Sequence, residues 1–295
     1  MITSIVLPKE FSFDECLVFL NRSSNECLYF IENRKIHKLL KIENELVIIQ
    51  ISESKSKLKI ETLNSDFAKV IRKPIRNYIT EWFDLGTDIK PFYNVVSENR
   101  LLKDLIKKYY GLRLIGIPDL FEALCWAIIG QQINLTFAYT LKRRFVETFG
   151  EEIKFNNRNY FLFPTPQNLL KVSINDLMNL QFTGKKSEYI IDLAHKINLG
   201  ELPNKSELEN LGYKEAKNIL LEIRGVGEWT ADYVLMKCLR FTEALPVGDV
   251  GLHNAIKDLL NLQNKPSIEE INKIFDECKS WQAYSAFYLW RSLYD

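Results

Sequence analysis

The residues of this 295-residue chain best able to do chemistry lie between Leu221 and Leu252. The segment Leu221-Glu222-Ile223-Arg224-Gly225-Val226-Gly227-Glu228-Trp229-Thr230-Ala231-Asp232-Tyr233 sets two glycines one residue apart, between an amphipathic helix ending near Ile223 and another starting near Glu228. Glycine allows a tight turn whose backbone can approach a ligand closely. The amides of Gly225 and Gly227, beside a helix N-terminus with its partial positive charge, suit an anion such as a phosphate. A bare G-x-G is more often a helix–helix turn that binds nothing. Further on, Leu245-Pro246-Val247-Gly248-Asp249-Val250-Gly251-Leu252 puts a carboxylate just ahead of the amphipathic run Leu252, Ile256, Leu259 and Leu260, and by itself Asp249 reads as a helix N-cap.

The elements that must position these groups change character along the chain. In roughly the first ninety residues, the β-branched run Leu46 to Ile51 and the alternation of Leu58 and Ile60 with Lys57, Lys59 and Glu61 predict strands, with a hairpin turn in the stretch Ser52 to Ser56. From about residue 95 the apolar residues fall at helical spacing instead: Leu101, Leu105 and Tyr109; Phe121, Leu124, Ala127 and Ile128; Tyr189, Ile190, Leu193 and Ile197. Asp119 is placed to cap the start of a helix, Gly150 to end one, and Pro166 to open another. The fold class expected is α+β: a β-rich mixed domain over residues 1–93, then a helical region over 94–295.

Composition narrows the function classes. With 46% apolar and 26% charged residues and only 12 Gly and 9 Pro, the chain is neither disordered nor collagen-like. A balance of 39 Lys+Arg against 38 Asp+Glu excludes a protein that coats nucleic acid by charge alone. It does not exclude one that grips a few phosphates, because cations cluster locally: Lys103, Lys107, Lys108 and Arg113; Lys142, Arg143 and Arg144; Lys185 and Lys186; Arg224. The cysteines Cys16, Cys27, Cys125, Cys238 and Cys278 form no C-x-x-C pair, so reduced thiols are expected rather than disulfides or a zinc or iron–sulfur site. Lys9, Glu10 and Asp14 interrupt the N-terminus before any long apolar run, and no stretch nears the roughly 20 apolar residues that span a bilayer, so a cytoplasmic protein without membrane contact is expected.

The segment from Leu221 resembles the hairpin of the helix-hairpin-helix DNA glycosylases, whose pattern is roughly L-x-x-(L/I)-x-G-(I/V)-G-x-(W/K)-T-A. Arg224 stands where the family usually has proline. The element around Asp249 is similar to the family's P-x-x-D-x-x-(L/V), whose aspartate is the catalytic carboxylate. Tyr78 to Leu85 with Pro91-Phe92-Tyr93, and Phe121 to Ile133, resemble the family's 3-methyladenine branch; Trp281 to Trp290 matches less well, with Ser280 and Gln282 in place of the usual Pro and Arg. The likeness covers about residues 75–295. It implies a central helical domain over 119–241 and a second helical subdomain made of 94–118 with 242–295.

The resemblance implies a monofunctional enzyme that flips an alkylated purine out of damaged double-stranded DNA and hydrolyses its N-glycosidic bond. Asp249 would be the catalytic carboxylate, stabilising the oxocarbenium charge of the deoxyribose or activating water. Trp229 fills the position at which bifunctional members carry a nucleophilic lysine, and Cys278 alone after the aspartate excludes the iron–sulfur branch. Trp229, Tyr233 and Trp290 would line the base pocket, where electron-rich faces favour a cationic base; core packing is the alternative for each. Gln132 would fill the gap left by the flipped nucleotide, or simply cap its loop. Arg224, Gly225, Gly227 and Thr230 would hold the DNA backbone. The carbonyls of Leu221, Ile223 and Val226 would hold a monovalent sodium or potassium ion, with no cofactor needed for catalysis, and a monomer is expected. Two other readings remain open: excision of oxidised or deaminated purines, and a non-catalytic DNA-binding module that retains the hairpin.

Overall fold

The structure is a computed structural model, and it describes residues 2–64 and 71–295. It runs β1 (Ile2–Val6), α1 (Phe13–Leu20), β2 (Tyr29–Glu32), β3 (Lys35–Ile42), β4 (Glu45–Ser54), β5 (Lys57–Thr62), α2 (Arg72–Trp82), α3 (Lys90–Val96) and α4 (Lys103–Lys108). There follow α5 (Leu120–Gly130), α6 (Leu135–Phe149), β6 (Glu152–Phe155), β7 (Arg158–Phe161), α7 (Ile174–Asn179), α8 (Gly184–Leu199) and α9 (Lys205–Leu211). The chain closes with α10 (Tyr213–Leu221), α11 (Glu228–Lys237), α12 (Val250–Leu259), α13 (Ile268–Asp276) and α14 (Gln282–Arg291). Contacts group these elements into two compact units. One takes the N-terminus up to Leu7, Ser23–Glu81 and Asp119–Pro203; the other takes Pro8–Arg22, Trp82–Pro118 and Asn204–Asp295.

In the first unit a five-stranded antiparallel sheet has the order β1-β5-β4-β3-β2. Two of its three hairpin turns carry consecutive residues in the left-handed region: Asn33 and Arg34 between β2 and β3, Lys55 and Ser56 between β4 and β5. Such two-residue turns match the right-handed twist of the strands they join. The β-branched run falls in β4, where Val47, Ile48, Ile49 and Ile51 are all buried. The hairpin β6–β7 packs Tyr160 against Leu39 and Ile48 of the sheet, with Phe30, Ile153, Phe155 and Leu162 around them. Helical spacing alone does not predict this hairpin after residue 95. Each strand has only four residues, too few for alternation to stand out, and Asn156-Asn157 at φ 48° and 59° is the local signal for the turn. The helix caps are as expected at Asp119, which accepts from the Glu122 amide, and at Gly150, which follows α6; Pro166 opens a short 3-10 turn rather than an α-helix.

A buried ion pair ties α6 to the loop that leads into β2 in this unit. The ammonium of Lys142 on α6 lies 3.0 and 2.9 Å from the two oxygens of Glu26, and Glu26 also accepts the amides of Cys27 and Leu28 at 2.9 Å. Burial alone would push Glu26 up, but Lys142 and the Leu28 amide hold it below its ordinary value.

The second unit is helical. Every residue of α14 from Ala283 to Arg291 is buried. Arg113, also buried, donates to the carbonyls of Asp84, Thr87 and Glu10, and the Tyr284 hydroxyl donates to the Asp84 carboxylate. On α1, Glu15 accepts from Arg291 at 2.8 Å and Phe19 packs on Phe287 with centroids 4.4 Å apart. These contacts fix the rotation and height of α14, which carries Trp290. Lys237 is enclosed between the rings of Phe19 and Phe287 and donates to the Ile115 carbonyl; burial drives its basicity well below that of a free lysine.

Lys142→Met leaves Glu26 buried and unpaired and is expected to cost about 3 kcal/mol in urea unfolding at pH 7, while adding Glu26→Gln to it restores much of the loss. Because Glu26 is held below 4.5, the pair's contribution is complete above that pH and is lost on acidification through the lowered value.

Candidate active site

The hairpin is the joint between α10 and α11. Gly225 has φ +88°, a conformation that excludes a side chain without strain, and the Val226 amide closes the turn on the Ile223 carbonyl at 2.9 Å. Gly227 is the N-cap of α11 in ordinary extended backbone. The angle between the helices is pinned by Asp232 on α11, which is buried and accepts from Lys217 of α10 at 2.9 Å and from the Tyr213 hydroxyl at 2.7 Å. Lys217 also reaches Glu228 at 2.8 Å. Burial raises Asp232 despite these partners and pushes Tyr213 up to about 12; Lys217, which burial alone would lower, is held above its ordinary value by Glu228 and Asp232. Neither Lys217 nor Asp232 carries a motif, and fifteen residues separate them, so sequence spacing does not pair them.

Asp249 is the N-cap of α12, so the capping reading is correct. It is also more than a cap. Its Oδ1 accepts the Leu252 amide at 2.8 Å and the indole Nε1–H of Trp290 at 2.8 Å, while Oδ2 accepts the indole Nε1–H of Trp229 at 3.2 Å. The approach to it is fixed by its own amide bonding to the Pro246 carbonyl at 2.9 Å and by His253 Nε2 donating to the Val247 carbonyl at 2.8 Å. A helix N-terminus and three N–H donors thus converge on this one carboxylate. Among the described residues Oδ1 takes two donors and Oδ2 one, so Oδ2 retains the capacity for another partner.

The aromatic rings form a row beside this carboxylate. Trp229 and Tyr233 have centroids 5.6 Å apart, Tyr233 and Trp290 6.0 Å apart. Tyr233 and Trp290 are buried and Trp229 is half-buried, so the rings pack as core residues do while both indoles aim their N–H groups at one carboxylate. An oriented anion against π-faces is an arrangement that stabilises a cation.

Other expected residues are placed as follows. Leu221, Ile223, Arg224, Val226 and Thr230 lie on or next to the hairpin; Arg224 and Gly227 are exposed, and the Thr230 side chain is buried. Gln132 belongs to the first unit. It is exposed, with φ +54°, between the end of α5 and Asn134, which caps α6. Its loop is held by Lys186 on α8, a buried ammonium donating to the carbonyls of Ile129 at 2.8 Å and Gln131 at 2.7 Å. That corrects the surface count of cations. Lys186, Lys142 and Arg113 are all buried on protein acceptors, and Lys108 is engaged with Asp295, so the local basic excess that a phosphate could meet is smaller than residue counts imply. None of the five cysteines is in a disulfide, and no group of three or more His, Cys, Asp or Glu among the described residues could hold a metal ion. Among the described residues no helix is long and apolar enough to cross a membrane.

Comparison with known proteins shows the family of the chain. The family profile described as "HhH-GPD superfamily base excision DNA repair protein" matches residues 125–280, and that of the "8-oxoguanine DNA glycosylase, N-terminal domain" matches residues 4–124. The chain belongs to the HhH-GPD superfamily of base excision DNA repair proteins. It is 46% identical to the DNA-3-methyladenine glycosylase of Bacillus subtilis, over 98% of this chain and 96% of that one. It is 30% identical to DNA-3-methyladenine glycosylase 2 of Escherichia coli, over 61% of this chain and 60% of that protein. A 3-methyladenine DNA-glycosylase structure from Archaeoglobus fulgidus shares the fold with a TM-score of 0.84 at 24% identity, covering 98% of this chain and 97% of that one.

Because asparagine caps helices as well as aspartate does, Asp249→Asn is expected to leave the melting temperature within about 2 °C of wild type, whereas Asp249→Ala loses the cap and about 1 kcal/mol. Thermal unfolding followed by circular dichroism separates the two.

Proposed function

We propose that this chain is a monofunctional DNA glycosylase of base excision repair, which flips an alkylated purine of the 3-methyladenine type from duplex DNA and hydrolyses its N-glycosidic bond. The observation that carries the proposal is the Asp249 carboxylate, held in place by two indole N–H groups and a helix N-terminus with Oδ2 open to another partner. A purine alkylated on the ring is already cationic, so the bonding pair of the C1′–N bond leaves with it and the base departs neutral. The positive charge then develops on the deoxyribose, where a fixed carboxylate stabilises it. Water adds at C1′ and gives up its proton, for which Oδ2 is the acceptor. Trp229, Tyr233 and Trp290 supply π-faces that favour a cationic base over a neutral one. The name of the Bacillus subtilis relative, 46% identical, supports this substrate class. Oxidised-purine excision of the lyase type would need a nucleophile where Trp229 stands.

The DNA backbone would be held at the hairpin. Gly227 needs no left-handed conformation, and a Cβ there would meet nothing within 4 Å of the protein, so close approach of a phosphate is the use we assign to that glycine. The exposed Arg224 adds charge beside it; at Thr230, whose side chain is buried, the contact falls to the backbone. Gln132 at its exposed tip would fill the space of the flipped nucleotide. The carbonyls of Leu221, Ile223 and Val226 would hold a monovalent sodium or potassium ion, which bound there supplies positive charge to a phosphate. The Ile223 carbonyl, engaged by the Val226 amide, keeps a second lone pair for it. Damaged double-stranded DNA is the partner, taken by a monomer.

The test is to incubate wild type and Asp249→Asn with duplexes carrying methylated, deaminated or oxidised bases and to measure free base and strand nicking. Wild type is expected to release methylated purines without nicking, and the variant to lose at least about a hundredfold in rate. No release from any duplex would refute the enzyme; nicking without alkali would show a lyase instead.

A further inference from the structure

Gly251 is the second residue of α12, two positions after Asp249, and its φ is not among the positive values that favour glycine. A helical glycine destabilises by roughly 0.5–1 kcal/mol relative to alanine, so conformational freedom is not what this residue contributes. It contributes space. A Cβ at this position would lie 3.0 Å from Oδ1 of Asp249, 3.5 Å from Leu293 Cδ1 and 3.6 Å from Trp290 Cδ1. A carbon 3.0 Å from an oxygen is inside ordinary van der Waals contact, so one of them must shift by a few tenths of an ångström. Oδ1 has no slack to give, because it already sits 2.8 Å from both the Leu252 amide and the Trp290 indole.

We propose that Gly251 is a positioning residue: its missing side chain is what allows the Asp249 carboxylate to keep Oδ1 in its paired bonds to Leu252 and Trp290 while presenting Oδ2. The proposal rests on Asp249 being the reacting carboxylate. A displacement of tenths of an ångström in a preorganised electrostatic site lowers the rate while leaving distant binding contacts alone. Gly251 would therefore exchange helix stability for carboxylate placement, and alanine should reverse that exchange.

The experiment compares wild type with Gly251→Ala in three measurements: melting temperature, affinity for a duplex containing an abasic-site analogue, and single-turnover release of a methylated purine. The expected result is an equal or higher melting temperature, affinity within about twofold, and release slowed by about tenfold or more. In parallel, the ¹⁵N-labelled indole N–H resonance of Trp290, assigned with Trp290→Phe, is expected to shift in Gly251→Ala in the direction seen for Asp249→Asn. This readout requires no activity, so it tests the placement even if wild type releases no base, an outcome that would refute the glycosylase reading instead. Release at the wild-type rate, an unmoved Trp290 resonance, or a rate loss matched by an equal loss of affinity or stability would overturn the proposal.

Discussion

One half-buried carboxylate is aimed by N–H groups from three helices, and the buried polar contacts of the second unit hold those helices in place. Asp249 sits at a helix N-terminus and receives N–H groups from α12, α11 and α14. Leaving any of these three elements free to rotate would uncouple a donor from the acid. α11 is held to α10 by the Asp232–Lys217–Tyr213 set, and α14 by Arg291 on Glu15, Phe287 on Phe19, and Tyr284 on the Asp84 carboxylate. Polar contacts buried this deeply are costly unless their groups are partnered. Their investment is in direction: apolar contacts at the same places would bury comparable surface without fixing where two indole N–H vectors point.

The same economy appears in the cations. A net charge of +1 conceals that several lysines and arginines work inside the protein rather than on its surface. Arg113 gathers backbone carbonyls, Lys142 neutralises Glu26, Lys186 closes the end of α5, and Lys237 is caged between phenylalanines. With those cations inside the protein, the hairpin still exposes Arg224 and the unobstructed backbone of Gly227. A protein that inspects DNA benefits from a grip that is local, because counter-ion release along undamaged DNA scales with the number of phosphates engaged.

Much of the architecture is legible in the amino-acid order because it is written in local signals. Alternation and turn residues mark β4 and β5, the caps mark α5 and α12, and the G-V-G turn marks the joint before α11. The short β6–β7 hairpin is the exception, with strands too brief to alternate visibly. The site is legible only in part. Asp249 and its aromatic neighbours stand out through motif, yet the sequence does not show that the capping carboxylate also takes both indole N–H groups. Lys217 with Asp232, Lys186 with the Gln131 carbonyl, and Gly251 with Oδ1 of Asp249 leave no trace in the spacing. Each depends on which face of a helix meets which neighbour, and burial of a lysine cannot be read from its being a lysine.

The central claim is that Asp249 supplies a fixed negative charge to a sugar that becomes cationic. The measurement that addresses it most directly is affinity for two duplexes differing in one atom: one with a neutral tetrahydrofuran in place of the damaged nucleotide, the other with a protonated pyrrolidine that mimics the oxocarbenium ion. Wild type should bind the cationic duplex at least about tenfold more tightly, since complementarity to the transition state is what a catalyst offers, and Asp249→Asn should bind the two alike. Equal preference in both proteins would contradict the account.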